Sequence, residues 1–319
     1  MNKEQQAGVT VIAFFIVGIA FAMFFGLVYE EEIYVDKLVN TESSRDFFIN
    51  MASGNEPHSQ SVTMWGSCDT ITTTPKVIWC GSVDYTPLVT ASTIQFASDD
   101  PDDTVSGTGA RVVRIGGLNQ NYTWQYEDIQ MNGLTNVTTT LEYIRVYQVE
   151  VIQSGSSQFN EGLIYGGDVL TESQQVWINP ERGRTTWAMW TIPAGYTGFL
   201  VDSMAKTSIE KSQGSVIYDL KYRLYRSDNQ TWVTYGEIWM YERDFRFGYP
   251  SMFSIPEKSD VALYAHTTVG TADSAGYLTL AMVENSYIEA QSLVKTQIQF
   301  LIIVIFVVMG VVVAMRVAR

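Results

Sequence analysis

Chemistry-bearing residues are sparse in this chain. It has two histidines, His58 and His266, far apart in sequence, so a Ser–His–Asp or Cys–His arrangement rests on one of them at most. The run Asp99-Asp100-Pro101-Asp102-Asp103 concentrates carboxylates that suit oxygen ligation of Ca²⁺; the simpler reading is a solvated turn. Gly107-Thr108-Gly109 lacks the third glycine of a dinucleotide fingerprint, and no P-loop, HExxH or EF-hand loop occurs. The expectation is therefore no enzyme, with no catalytic residue, no metal and no cofactor. Glycoside hydrolysis by a carboxylate pair is the class that so many acids leave open.

Two cysteines, Cys68 and Cys80, stand without a CxxC or a set of histidine partners, which argues against zinc. In an external domain they suit a disulfide, closing a loop worth on the order of 3 kcal/mol in the chain-entropy model. Two unrelated buried thiols are the alternative. Asn121-Tyr122-Thr123, Asn136-Val137-Thr138 and Asn229-Gln230-Thr231 match the N-glycosylation acceptor pattern, which matters only in a host that glycosylates. Trp187, Trp190, Trp232 and Trp239 suit a sugar-lining site, or core and inter-subunit packing at alternating strand positions.

The elements that position these residues begin at the chain ends. Ala7–Tyr29 is 23 residues without a charge, and Ile298–Met315 has Gln299 as its one strongly polar residue. Each approaches the roughly 20 residues that a membrane-spanning helix needs, and a helix satisfies its own backbone in lipid. The first run is longer than a signal-peptide core and lacks a small-x-small cleavage site, so two retained spans are expected. Arg316 and Arg319 close the second span, Lys3 precedes the first, and Glu30-Glu31-Glu32 follows it. Basic flanks favour the inner side, which puts both termini inside and the middle outside.

Residues 30–293 hold 33 of the 34 acids and 16 of the 20 bases, a formal charge of −17. A surface this acidic argues against nucleic acid as a partner, because phosphate binding needs a basic face. From residue 30 a helical stalk with apolar spacings of three and four continues to about Ala52, and Gly54-Asn55-Glu56-Pro57 breaks it.

From Ser61 short runs rich in Val, Ile, Thr, Tyr and Trp alternate with turn clusters such as Gly116-Gly117, Asn132-Gly133, Gly166-Gly167 and Asn179-Pro180. This punctuation indicates antiparallel sandwiches. The expected fold is mainly β: two tandem antiparallel β-sandwich (jelly-roll-like) domains flanked by N- and C-terminal transmembrane helices. The expected divisions are 1–29 for the N-terminal tail and span, 30–56 for the stalk, 57–175 and 176–286 for the two sandwiches, and 287–319 for the C-terminal span and basic tail.

Residues 106–164 carry Gly107-Thr108-Gly109-Ala110-Arg111, Gly117-Leu118, Glu127 followed by Asn132-Gly133, Arg145-Val146, and Gly155-Ser156 before Asn160-Glu161-Gly162. With residues 185–200 and 253–268, this pattern resembles an uncharacterised group of β-rich virion structural proteins of marine phages and related viruses, over about residues 60–283. Cys68 and Cys80 replace an expected acidic turn, and flanking spans are untypical of that group. At fold level the arrangement is similar to the jelly-roll capsid proteins of membrane-containing viruses.

The resemblance implies a membrane-anchored virion structural protein, either a capsid shell or a membrane-associated coat subunit. Its expected partners are a lipid membrane, copies of itself in a homo-oligomer and other virion proteins. The expected location is the virion membrane, as a viral envelope, or the host cell membrane. The competing readings are a host-attachment spike binding a cell-surface glycan, and a cellular surface-layer or adhesin protein.

Overall fold

The computed structural model describes residues 50–51, 53–169, 173–208, 216–223, 233–240, 244–248, 254–290, 296–297 and 299. The chain divides into two units: one is Ser59–Glu284, and the other joins Met1–His58 with Asn285–Arg319. No helix among the described residues is long and apolar enough to cross a membrane. Both expected spans, 7–29 and 298–315, lie outside the described residues apart from Gln299, as does the stalk before residue 50.

The end of the stalk is described. Residues 50 and 51 are helical, Gly54 follows at φ 72, and its amide donates to the Met51 carbonyl (3.2 Å) while the Asn55 amide donates to the Asn50 carbonyl (2.8 Å). That pair of bonds is a Schellman stop, which glycine serves because it takes the left-handed conformation without strain. Residues 285–290 are helical again, and His58 stacks on Tyr287 with ring centroids 5.3 Å apart.

The regular elements among the described residues of the larger unit are strands: β1 Ser59–Ile71, β2 Lys76–Val77, β3 Ile94–Ser98, β4 Ala110–Leu118, β5 Trp124–Gln130, β6 Val137–Thr138, β7 Arg145–Ser154, β8 Ile164–Asp168, β9 Gln174–Ile178, β10 Met189–Thr191, β11 Tyr196–Thr207, β12 Val216–Arg223, β13 Val233–Met240, β14 Asp244–Gly248, β15 Ser254–Ile255, β16 Asp260–Thr267 and β17 Ala272–Glu284. Alternation makes them strands. Along β17, Ser274, Gly276, Leu278 and Leu280 are buried while Ala275, Tyr277 and Thr279 stand half-exposed between them, the period-two pattern of a sheet with one face inward.

Four antiparallel sheets result among the described residues. Sheet I runs β1-β17-β11-β14 with β15 beside β11, and sheet II runs β10-β16-β12-β13 with β2 beside β16. Sheet III runs β6-β3-β8-β9, and sheet IV runs β5-β4-β7. Sheets I and II meet where β16 packs on β17 and β1 on β10; sheets III and IV meet where β7 packs on β9.

The chain is mainly β with several antiparallel sheets, as expected, and the strand order cuts across the expected boundary between two tandem sandwiches. The point between residues 175 and 176 falls inside β9, and β1 and β2 belong to the sheets built from residues 189–284. Sheets III and IV, drawn from residues 94–178, are therefore inserted between two parts of the pair I and II. A single buried cluster runs through all four sheets, from Ile71 and Trp79 through Ile115 and Ile178 to Leu280. The physical reason is that closing a longer loop adds little entropy cost, so β1 is free to pair with β17 across the whole insertion.

Two glycine pairs that punctuate the sequence lie inside strands. A Cβ on Gly166 of β8 would sit 2.1 Å from the Gln95 carbonyl oxygen, and one on Gly117 of β4 would sit 1.9 Å from that of Arg145. These glycines let neighbouring backbones close up rather than turn the chain.

Candidate functional site

The most elaborate side-chain chemistry lies in the seam between the two sheet pairs. Arg145 and Tyr147 of β7 are two residues apart and so share a face of sheet IV. Thr191 of β10 and Asp260 of β16 belong to sheet II. Arg145 Nε donates to Asp260 Oδ1 at 2.9 Å and Nη2 to Oδ2 at 3.0 Å, a bidentate pair, and Nη1 donates to the Leu88 and Ile144 carbonyls at 2.7 Å each. The Thr191 hydroxyl donates to Asp260 and accepts from the Tyr147 hydroxyl. Arg145 also faces the Tyr122 ring at 5.8 Å.

All of this is sealed from water: Arg145 and Asp260 are each 1% exposed. Burial works against the Arg145 charge, but the adjoining Asp260 carboxylate more than offsets it and raises the guanidinium pKa. Burial, reinforced by Asp260, pushes the Tyr147 hydroxyl well above the ordinary tyrosine value and keeps it neutral. The aromatic residues continue the seam. Trp187 Nε1 donates to the Tyr147 carbonyl at 3.0 Å, Trp190 lies against Tyr147 with ring centroids 4.7 Å apart, and Trp124 stacks on Trp190 at 5.6 Å. No reacting atom is offered to solvent here. The arrangement fixes two sheets in register, a role for which buried ion pairs suit better than for net stability.

The acidic run holds a second polar knot. Asp103 is fully buried. Its Oδ1 accepts from the amides of Ala110 (2.6 Å) and Glu161 (2.9 Å), and its Oδ2 from the Ser98 hydroxyl (2.6 Å) and the Gly162 amide (3.0 Å). Asp99 Oδ1 accepts from the Leu163 amide at 2.7 Å, and Asp100 Oδ1 from the Asp102 amide at 2.8 Å. Four donors use up the Asp103 carboxylate, so this run is a staple between the 98–110 and 161–163 segments. No group of three or more candidate ligands that could hold a metal ion occurs among the described residues.

The expected Cys68–Cys80 disulfide is not formed; both are free thiols. The register sends them to different neighbours. Cys68 lies opposite Ser274 in sheet I, and its thiol donates to the Thr70 carbonyl at 3.2 Å. Cys80 donates to the Trp177 carbonyl at 3.2 Å and accepts from the Thr186 amide at 3.4 Å. Burial raises the Cys80 pKa.

Trp187 and Trp190, two of the four tryptophans expected at a sugar site or in packing, are 2% and 6% exposed and belong to the core. Trp232 lies outside the described residues, as does the side chain of Trp239. Asn121 and Asn136 are exposed, and Asn229 lies outside the described residues. The Asn121 loop is tightly held, because Asn119 Oδ1 accepts from the amides of both Asn121 (2.9 Å) and Thr123 (3.1 Å).

Two exposed aromatic groups went unread in the sequence. On the outer face of sheet I, Trp65 is 50% exposed and its ring lies 4.5 Å from that of Tyr277, whose hydroxyl donates to Asp202 at 2.8 Å. On the outer face of sheet IV, Arg114 forms a bidentate pair with Asp128 at 2.7 and 2.9 Å and lies over the Tyr126 ring at 4.9 Å. The Asp128 hydrogen bonds raise the Arg114 pKa, and Arg114 lowers that of Asp128. The alternation around Thr63 and Trp65 carried a signal for the first group; a cross-strand pair such as Arg114–Asp128 carries one only once the register is known.

No family model matches the chain, and no curated protein matches it. Among solved structures, it is similar to a structure of infectious bursal disease virus, Gx strain, at 8% identity and a TM-score of 0.19, covering 71% of each chain. A structure of the Gt strain of that virus gives 10% identity and a TM-score of 0.15, covering 74% of this chain and 80% of the other. Similarity at that level carries no argument about this chain.

Proposed function

We propose that the chain is a membrane-anchored structural protein of a virion, a shell or coat subunit held in lipid by the apolar segments 7–29 and 298–315. The observation that carries the reading is an acidic all-β unit placed between two segments of membrane-spanning length. The sequence resemblance over residues 60–283 supports a virion role. The burial of Trp187 and Trp190 argues against glycan binding at those residues, because their ring area is spent on joining the sheets within the chain. Copies of the same chain, in a homo-oligomer, and other virion proteins are the proposed partners. The β unit stands outside the membrane and both termini inside.

Carbonate extraction of particles or producing cells tests the anchoring. The chain stays with the lipid fraction and needs detergent for release; recovery of the intact chain in the carbonate supernatant overturns it. One observation favours a second reading, a glycan-binding spike. Exposed Trp65 beside Tyr277 and Asp202 combines a ring face with polar atoms, as sugar sites do. Loss of cell attachment in Trp65→Ala, with the oligomer intact, would support that reading over a coat.

A further inference from the structure

Sheet I has an open edge. Its outermost strand on one side is β1, which pairs with β17 alone among the described strands. One bond sets the phase of the ladder. The Ser208 amide donates to the Asp273 carbonyl at 3.1 Å, so in the register of β11 and β17 Ala275, Tyr277 and Thr279 turn their backbone groups toward β11. Alternation turns those of Ser274, Gly276, Leu278 and Leu280 toward β1. Their partners Cys68, Gly66, Met64 and Val62 therefore bond to β17, and Ser61, Thr63, Trp65 and Ser67 direct their N–H and C=O groups away from the sheet. Those of Ser61, Thr63 and Trp65 meet no backbone partner among the described residues.

Sheet IV, by contrast, covers its edges. Beside β5 the Glu127 carboxylate accepts from the amides of Thr140 (3.0 Å) and Leu141 (3.1 Å). Beside β7 the Val151 amide donates to the Gly183 carbonyl (2.8 Å) and the Thr185 amide to the Val149 carbonyl (2.9 Å). The β1 edge lacks even the usual deterrents of lysine, proline or a bulge. Ser59–Cys68 holds no charge and no proline, and its register shifts only beyond Cys68. On a chain of net charge −14, this strip lets a second copy approach without like charges meeting across the strands.

We propose that two copies of the chain join edge to edge through β1, antiparallel about a two-fold axis, so that sheet I runs from one copy into the next. A two-fold lets the same strip serve both sides, and main-chain hydrogen bonds supply the attachment. Ser67 limits the strip, because its hydroxyl bonds to that of Thr186 at 2.9 Å. Between Ser59 and Ser67 the midpoint is Thr63. Centring there sets Thr63 opposite its own copy and half-exposed Trp65 opposite the other copy's Ser61, whose small side chain leaves room for the ring. The proposal rests on the homo-oligomer of the reading above and names the surface that builds it.

The test uses the full chain, solubilised in detergent. Paired Cα atoms about 5.5 Å apart lie within disulfide reach, so oxidised Thr63→Cys links two chains on a non-reducing gel. Thr279→Cys, one strand further in, gives no more link than the wild type with its own two cysteines. Thr63→Pro removes an amide that β17 does not use: the melting temperature holds, while sedimentation shows self-association weakened about tenfold or more. Thr63→Lys and Thr63→Glu each weaken association alone and restore it when mixed, which a folding defect would not do; that mixture decides the matter if Thr63→Pro lowers the melting temperature. An oligomeric chain without the Thr63→Cys link overturns the edge and leaves the coat reading standing. So does a Thr63→Cys link to a different protein, identified by mass, or wild-type association in Thr63→Lys. A chain that is monomeric at every concentration overturns the edge and the homo-oligomer together. Linked dimers of a chain absent from virions support the edge and remove the coat reading.

Discussion

Two arginine–aspartate pairs have their arginines in one sheet and differ in almost everything else. Arg114–Asp128 and Arg145–Asp260 both make bidentate bonds of 2.7–3.0 Å. The first joins neighbouring strands 14 residues apart on a face open to water. The second joins sheets II and IV across 115 residues and is sealed with a threonine, a tyrosine and two carbonyls. Matching geometry thus hides opposite energetics. Water screens the outer pair, whose net value falls with the side-chain entropy it costs. The inner pair had to be stripped of water, so each partner is indispensable to the other.

The largest effect is expected at the inner pair. Arg145→Ala or Asp260→Ala leaves an uncompensated buried charge and lowers unfolding free energy by about 3–5 kcal/mol, read by denaturant titration of the β unit. Arg145→Met combined with Asp260→Leu sharpens the point. If the pair serves register rather than stability, the double variant recovers most of that loss while its sheets fit together less uniquely, as seen in broadened amide resonances.

Asp103 comes next, a buried carboxylate held by one hydroxyl and three amide donors. Asp103→Ala strands four donors at once, and a loss of about 3 kcal/mol is expected. Added Ca²⁺ should not change the melting temperature of the wild type; a rise would restore the ion-binding reading of residues 99–103.

Cys80 gives a kinetic version of the same contrast. Burial raises its thiol, so less thiolate is present at neutral pH and alkylation is slow in the folded protein. Denaturation should expose Cys68 and Cys80 together as two reactive thiols, counted by mass. A native mass two hydrogens lighter would reinstate the disulfide.

The smallest effect belongs to the outer pair. Arg114→Ala should leave the melting temperature close to that of the wild type, with any difference vanishing in high salt. Arg114 depresses the Asp128 carboxyl, so what the pair contributes is present above the ordinary carboxylate value and is lost as pH falls through the lower folded one. A large, salt-insensitive loss would erase the distinction between the two pairs.

Strand identity was largely legible, because period-two alternation is local: the runs around β1, β4, β7, β11, β16 and β17 are all visible in the sequence. Glycine misled. Gly166-Gly167 reads as a break, yet it lies in β8 between β3 and β9, where close strand approach demanded the missing side chain. Asp244–Gly248, which pairs with β11, was missed because it is short and charged. Pairing partners were the least legible. Nothing near Ser59 announces Val283, and nothing near Arg145 announces Asp260, so the inserted topology and the seam came only with the register. The acidic run 99–103 was visible as chemistry, but not the four donors that bury Asp103.

The most direct test of the central claim is copy number in purified, membrane-containing particles, by quantitative mass spectrometry against a known virion component. A coat role predicts hundreds of copies per particle, retained with the lipid after carbonate washing. Absence from particles, with abundance on uninfected cells, would contradict it.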